Sequence, residues 1–166
     1  MDIEKKSKQF LKRFDDEWLR DVVFSGDDSD AYDWGFLASL LESFARSISI
    51  CGYDEGEVFD LICCCLSAGN SKIVLSRQAV YRKLKDVLDL VVRKNHDYGN
   101  AVFLPPCCIS DISIGSAILV RLSDKFQRFW NLTRSDKLNL VNESLEDTVK
   151  DIVGYLFLLW CYETED

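Results

Sequence analysis

An all-α fold, a compact bundle of about six helices, is predicted by three observations on the sequence. Apolar residues recur at helical spacing along almost all of the 166 residues. Alternation at period two is weak, and the one β-like stretch, residues 109–114, is short. The segments between the helical patterns are short, which favours a compact bundle. The length and the 48% hydrophobic content fit a single domain over residues 1–166 with a packed core.

Three amphipathic patterns occupy the first half of the chain. The first predicts a helix over residues 10–22, ended by Ser25-Gly26. The second predicts a helix over residues 33–51. The third covers residues 54–68 and ends before Gly69. Because the third pattern is apolar nearly all round, we expect this helix at the centre of the core.

Three further helices are predicted in the second half. Ser76 is suited to cap the fourth helix, and Asn142 to cap the sixth. A polar break at residues 95–100 ends the fourth helix, and a loop through Pro105-Pro106 follows it. The predicted helices cover residues 76–94, 114–132 and 143–163.

Charge and cysteine content exclude several classes of protein. The net charge of −8 gives no general attraction for duplex nucleic acid or for an anionic membrane. No apolar run approaches the ~20 residues that span a bilayer, and the N-terminus lacks the apolar stretch of a secretory signal. We therefore expect a cytoplasmic protein. The seven cysteines include no C-x-x-C and accompany one histidine, which argues for reduced thiols and against a zinc site.

Charged residues are concentrated on one face of each of the last two predicted helices. On the fifth, Arg121, Asp124, Lys125 and Arg128 fall within roughly 100° of arc. On the sixth, acids recur at i+4 steps, and like charges at that spacing destabilise an isolated helix by a few tenths of a kcal/mol per pair. The acidic face consists of Glu143, Glu146, Asp147 and Asp151.

Two interpretations of the acidic face stay open. Clustered carboxylates suit a hard divalent cation such as Mg²⁺. Alternatively, the acids form salt bridges with the cationic face of the fifth helix, and those in the first turns interact with the helix dipole.

The polar break between the fourth and fifth helices also has two interpretations. Lys94, His96, Asp97 and Tyr98 are side chains that can contact a phosphate, a sugar or a base. Alternatively, the segment is a helix end with a tight turn, because Asn and Gly tolerate left-handed geometry.

Three motifs in series resemble those of the nucleotide modification associated domain of type 1, a small helical domain of bacteria and their phages. They are K-N-x-D-Y-G at 94–99, R-x-x-D-K-x-x-R at 121–128 and E-S-x-x-D-T-x-x-D-x-x-x-Y at 143–155. The resemblance covers a core of about residues 76–163 and leaves residues 1–75 unassigned. It implies a role in nucleotide metabolism or DNA-base modification, in a bacterium or a phage-infected host cell.

The layout is more distantly similar to the all-α nucleoside triphosphate pyrophosphohydrolases of the MazG and dimeric dUTPase type, which hold Mg²⁺ between an E-x-x-E and an E-x-x-D helix and commonly dimerise. This sequence departs from that pattern with Asp124-x-x-Gln127. By resemblance, Glu143, Asp147 and Asp124 would be catalytic. Mg²⁺ would be held by Glu143, Glu146, Asp147 and Asp151. The substrate would be bound by Lys94, His96, Asp97, Tyr98, Arg121, Lys125 and Arg128.

The leading hypothesis is a Mg²⁺-dependent dNTP pyrophosphohydrolase that binds a nucleotide. The resemblance also implies a homo-oligomer. The alternative is a non-catalytic module that binds or sequesters a nucleotide or cyclic nucleotide, as a phage accessory or anti-defence protein. Both hypotheses require the charged faces and the Asp-Tyr-Gly bend to converge on one hollow. A third hypothesis is purely structural, with the last two helices joined by salt bridges.

Overall fold

The computed structural model describes residues 1–21, 34–50, 52–68, 77–109, 111–134 and 144–165. These residues form six α-helices and one 3₁₀ turn at Ala101–Phe103, and they contain no strand. The all-α prediction is confirmed. The helices are α1 Ile3–Asp21, α2 Trp34–Ile50, α3 Glu55–Ser67, α4 Arg77–Asp97, α5 Ile114–Arg134 and α6 Leu145–Glu163.

Side-chain caps set the beginnings of α3 and α6. The Glu57 N–H donates to Asp54 Oδ1 at 2.8 Å, and the Asp54 N–H donates to Glu57 Oε2 at 3.2 Å, which is a capping box. Ser144 and Asp147 form the same arrangement on α6. The predicted start of the sixth helix at residue 143 is therefore two residues early, because Ser144 is extended and its hydroxyl accepts from the Asp147 N–H. Asn142 lies outside the described residues.

α4 runs three residues farther than predicted. Asn95, placed in the polar break by its type, is a buried helical residue, and its side-chain amide donates to the Asn100 side chain. The helix ends at Asp97, and Gly99 (φ 58°) and Asn100 (φ 59°) follow in the left-handed region. The tight turn at the end of this helix is thus confirmed, shifted toward the C-terminus by the buried asparagine.

α6 is the central helix of the bundle. It packs against α3, α4 and α5, and the Phe10 ring of α1 lies 4.9 Å from the Trp160 ring, centroid to centroid. Eleven of its 19 residues are buried, and residues 152–161 carry no charge. α3 also contributes to the core as predicted, since seven of its residues 58–66 are buried, whereas Asp60 is exposed. No helix in the described part of the chain, α6 included, is both long and apolar enough to cross a bilayer.

Two glycines let neighbouring elements approach α6 closely. A Cβ added at Gly154 would lie 3.1 Å from Val91 Cγ2 of α4. A Cβ added at Gly115, in the first turn of α5, would lie 2.7 Å from Cε1 of the Tyr162 ring. The small residues therefore determine how tightly α4 and α5 pack on the central helix.

Candidate functional site

The cationic face of α5 contacts α6 directly. Lys125 Nζ lies 2.8 Å from Asp151 Oδ2, and both side chains are partly buried. One turn further along α5, Arg128 Nε donates to Thr148 Oγ1 at 3.2 Å. The salt-bridge interpretation of these faces is confirmed for Lys125 and Asp151. At these two positions the helices are in contact, and no hollow separates them.

Two other charged residues of the α5 face do not pair with α6. Arg121 and Asp124 are both exposed. Neither forms an ion pair with α6 within the residues that the structure describes. Of these three charged residues, Lys125 therefore pairs with α6, whereas Arg121 and Asp124 lie at the surface.

The acids of α6 have separate partners. The Ser144 hydroxyl donates to Asp147 Oδ2 at 2.9 Å, and Lys150 Nζ lies 3.1 Å from Asp147 Oδ1. The hydrogen bonds from Ser144, followed by the contact with Lys150, lower the pKa of Asp147. Glu143 lies outside the described residues.

No magnesium site is assembled by the acids that the structure describes. Among those residues, no group of three or more His, Cys, Asp or Glu side chains is placed to hold a metal ion. Asp151 is paired with Lys125, and Asp147 is the N3 residue of the capping box of α6. A site that includes Glu143 stays a prediction.

The four predicted binding residues of the K-N-x-D-Y-G motif lie at the surface, at the C-terminal end of α4. Lys94, His96 and Asp97 occupy its last turn, and Tyr98 follows with 70% of its side chain exposed. His96 Nδ1 lies 3.5 Å from Asp97 Oδ1. None of the four lines the cavity described next.

A cavity of about 350 Å³ lies between α3, α4 and α6, with Trp34 of α2 at its edge. Of the predicted site residues that the structure describes, Glu146 alone lines it. Its floor is apolar and buried. The floor consists of Cys65, Leu66, Ala68, Val87, Val149 and Val153.

Charged side chains form the rim of the cavity. Among the described lining residues, Lys83 and Arg93 of α4 and Lys150 of α6 are cationic, and Asp86 and Glu146 are acidic. Lys150 also pairs with Asp147. Within the described ranges, neither Lys83 nor Arg93 forms an ion pair. Lys83, Asp86, Val87, Leu90 and Arg93 recur at helical spacing, which places them on one face of α4.

Sequence reasoning missed this face because the buried stripe of α4 dominates its apolar pattern. One signal was present. Leu90 is 38% exposed and lies between Asp86 and Arg93, so an apolar residue interrupts a charged face. A single exposed apolar residue is common on protein surfaces, so this signal does not by itself identify a pocket.

Comparisons with protein-family models, curated proteins and solved structures gave no match to this chain. The resemblance to the nucleotide modification associated domain therefore stays a prediction that is based on the three motifs. The cavity and its charged rim are the structural features from which a function can be argued.

Proposed function

We propose that this chain binds a nucleotide in the cavity between α3, α4 and α6 and holds it without hydrolysing it. The observation that carries the proposal is the pair of cations Lys83 and Arg93, without an ion-pair partner among the described residues, above a buried apolar floor. A volume of about 350 Å³ lies in the lower part of the ~300–1,000 Å³ range of ligand pockets. The nucleotide class itself comes from the motif resemblance.

The cationic rim suits the phosphate. The guanidinium of Arg93 presents a planar fork of donors that matches two phosphate oxygens, and Lys83 supplies a point charge on the same face of α4. Lys150 approaches from α6, so cations flank the cavity on two sides. In a chain of net charge −8, the two cations Lys83 and Arg93 on one face of α4 attract an anion to the cavity.

The apolar floor and Trp34 suit the base. Trp34 is partly buried, and its ring packs edge-on against Phe129 at 6.2 Å between centroids, which holds the indole in place. An aromatic face of this kind stacks on a base of any identity. Asp86 and Glu146 supply carboxylates that accept from a sugar hydroxyl or an exocyclic amine.

Binding is favoured over hydrolysis by the charge of the cavity. Among the described lining residues, cations outnumber acids, whereas a Mg²⁺ site needs several carboxylates free for the ion. Asp147 and Asp151, which the resemblance assigns to the metal, already bond to Ser144, Lys150 and Lys125. The non-catalytic alternative therefore has more support than the hydrolase hypothesis.

Isothermal titration calorimetry with a panel of nucleotides in EDTA tests the proposal. Arg93→Met should weaken binding about 10- to 100-fold, because a hydrogen bond to a charged group contributes ~1.5–3 kcal/mol. Lys94→Met is the matched control, since Lys94 is the adjacent cation, belongs to the predicted motif and does not line the cavity. Normal affinity in Arg93→Met together with a loss in Lys94→Met would overturn the proposed site.

The same samples separate binding from turnover. After incubation with Mg²⁺, chromatography should recover every nucleotide intact. Release of monophosphate and pyrophosphate would replace the binding proposal with the hydrolase hypothesis. Glu143→Gln would then be the variant that tests the predicted metal site.

A further inference from the structure

Two adjacent thiols are exposed in the segment between α4 and α5. Cys107 Sγ and Cys108 Sγ lie 3.6 Å apart, directly after Pro105-Pro106, and both residues are free and exposed. The cysteines of α3 and α6 differ from them. Cys63, Cys65 and Cys161 are buried, and burial raises the pKa of each of these thiols. Among the described cysteines, the accessible pair is therefore Cys107 and Cys108.

The distance between the two sulfur atoms fits two thiolates that bind one metal or metalloid atom better than it fits a disulfide bond. A disulfide needs ~2.05 Å between sulfur atoms and usually joins Cα atoms ~4.4–6.8 Å apart. The Cα atoms of adjacent residues are only about 3.8 Å apart, so a disulfide between neighbours is strained. By contrast, two thiolates bound at ~2.3 Å to one tetrahedral centre lie roughly 3.8 Å from each other. The observed 3.6 Å is close to that separation.

The number of available ligands limits the kind of centre. Within the described part of the chain, no third His, Cys, Asp or Glu side chain joins the two thiols in a metal-binding group. A zinc ion needs four ligands, so this pair fills half of its coordination shell. A trivalent arsenic atom that already carries one carbon substituent needs two sulfur ligands and no more.

We propose that Cys107 and Cys108 form a bidentate thiol site for thiophilic metalloid compounds of this class, monosubstituted trivalent arsenicals. The oxide R–As=O reacts with the two thiols, two As–S bonds form, and the arsenic–oxygen bond is lost. The oxygen leaves as water with both thiol protons. Neither sulfur nor arsenic changes its oxidation state, so no oxidant is required.

Phenylarsine oxide is the probe, and intact-mass spectrometry of the folded full-length chain is the measurement. The wild-type protein should retain one arsenical per chain in excess glutathione, a monothiol, and release it to a small dithiol. Cys107→Ser and Cys108→Ser should each lower retention by about 10²-fold or more, because the second thiol acts at a high effective concentration. Cys64→Ser, which removes a partly buried thiol of α3, is the control and should retain the adduct.

Two outcomes would overturn the site. The first is a wild-type chain that keeps no arsenical in glutathione. The second is retention by either single serine variant, which would show that a different pair of thiols holds the arsenic. Circular dichroism and the melting temperature of each variant establish that the variants are folded, and Cys107→Ala and Cys108→Ala repeat the test with a different side chain. These outcomes are independent of nucleotide binding in the cavity.

Discussion

Gly115 has no side chain at the point where the Tyr162 ring rests on the first turn of α5. A Cβ at this position would lie 2.7 Å from Tyr162 Cε1, well inside the contact distance. Helical spacing correctly placed the start of a helix here, but a local pattern contains no information on which ring covers it. The need for glycine at position 115 therefore depends on Tyr162, which is distant in sequence.

Replacing Gly115 by alanine should destabilise the protein by about 1–2 kcal/mol. The gain in helix propensity, ~1 kcal/mol, is outweighed by the displacement of the packed ring. Urea unfolding measures the difference. In a Tyr162→Ala background the same substitution should be neutral or stabilising, since the ring is gone. A more stable Gly115→Ala single variant would contradict the close contact.

At the candidate site too, whether a residue lines the cavity depends on how the helices pack, as Arg93 and Lys94 show. They are adjacent cations on α4, and successive residues of a helix point about 100° apart. The motif resemblance selected Lys94, whereas the cavity is lined by Arg93. Residue type alone does not distinguish the two, because the distinction depends on which side of α4 the helices α3 and α6 occupy.

At the scale of whole elements, the N-terminus of α6 gives one acid a structural role. Asp147 was predicted to bind metal, and in the structure its carboxylate accepts hydrogen bonds from Ser144 in the capping box. The motif E-S-x-x-D at 143–147 contains both the proposed ligand spacing and the capping signal. The structure shows the capping box, and the metal site that includes Glu143 stays a prediction.

Ser144→Ala should lower the stability by about 1 kcal/mol, the usual effect of losing an N-cap. It should also raise the pKa of Asp147, because the hydrogen bond that chiefly lowers it is lost. A lowered carboxyl pKa stabilises the fold above the ordinary value of 3.8 and loses that effect as the pH falls through the folded-state pKa. The difference between the variant and the wild type should therefore shrink below pH 4. Ser123→Ala, an exposed mid-helix serine, is the control.

The contact between α5 and α6 should behave as a structural ion pair. A double-mutant cycle with Lys125→Met and Asp151→Asn should give a coupling energy of about 0.5–1 kcal/mol, as is usual for partly exposed pairs. Nucleotide affinity should stay unchanged in Lys125→Met. A large loss of affinity without a loss of stability would instead return Lys125 to a binding role.

At the scale of the whole molecule, one hydrophobic core includes residues from all six helices. The Phe10 ring of α1 lies 5.2 Å from the Phe59 ring of α3 and 5.5 Å from the Phe157 ring of α6. The first and second halves of the chain therefore bury the same apolar surface. The motif resemblance divided the chain near residue 76, but the packing crosses this boundary.

A fragment of residues 77–166 should fail to fold by itself. Without α1 and α3, the face of α6 that carries Phe157 and Trp160 is exposed to water. A fragment of about 90 residues also buries a smaller fraction of its surface on folding than the full chain does. Circular dichroism and the dispersion of the amide NMR spectrum measure this, with the full chain as the control. A cooperative melting transition of the fragment would show that the second half is an independent unit.

The buried thiols should make the free energy of unfolding fall at alkaline pH. Burial raises the pKa of Cys63, Cys65 and Cys161 above the ordinary value of 9.0, so the folded state keeps protons that the unfolded state releases. Stability from these groups is complete below pH 9 and is lost as the pH rises above it. Urea unfolding between pH 7.5 and 10.5 should show the decline, and Cys161→Ala should reduce its slope.

The sequence by itself determined the helices, the capping box of α3 and the left-handed turn at Gly99 and Asn100 that follows α4. Each of these depends on groups within about four residues of one another, so the chain specifies them locally. Only the tertiary structure decided that α6 is central and that Lys125 pairs with Asp151. It also decided that Trp34, Lys83, Arg93 and Lys150 surround one cavity. Those residues lie on three different helices, and their meeting depends on how the helices pack.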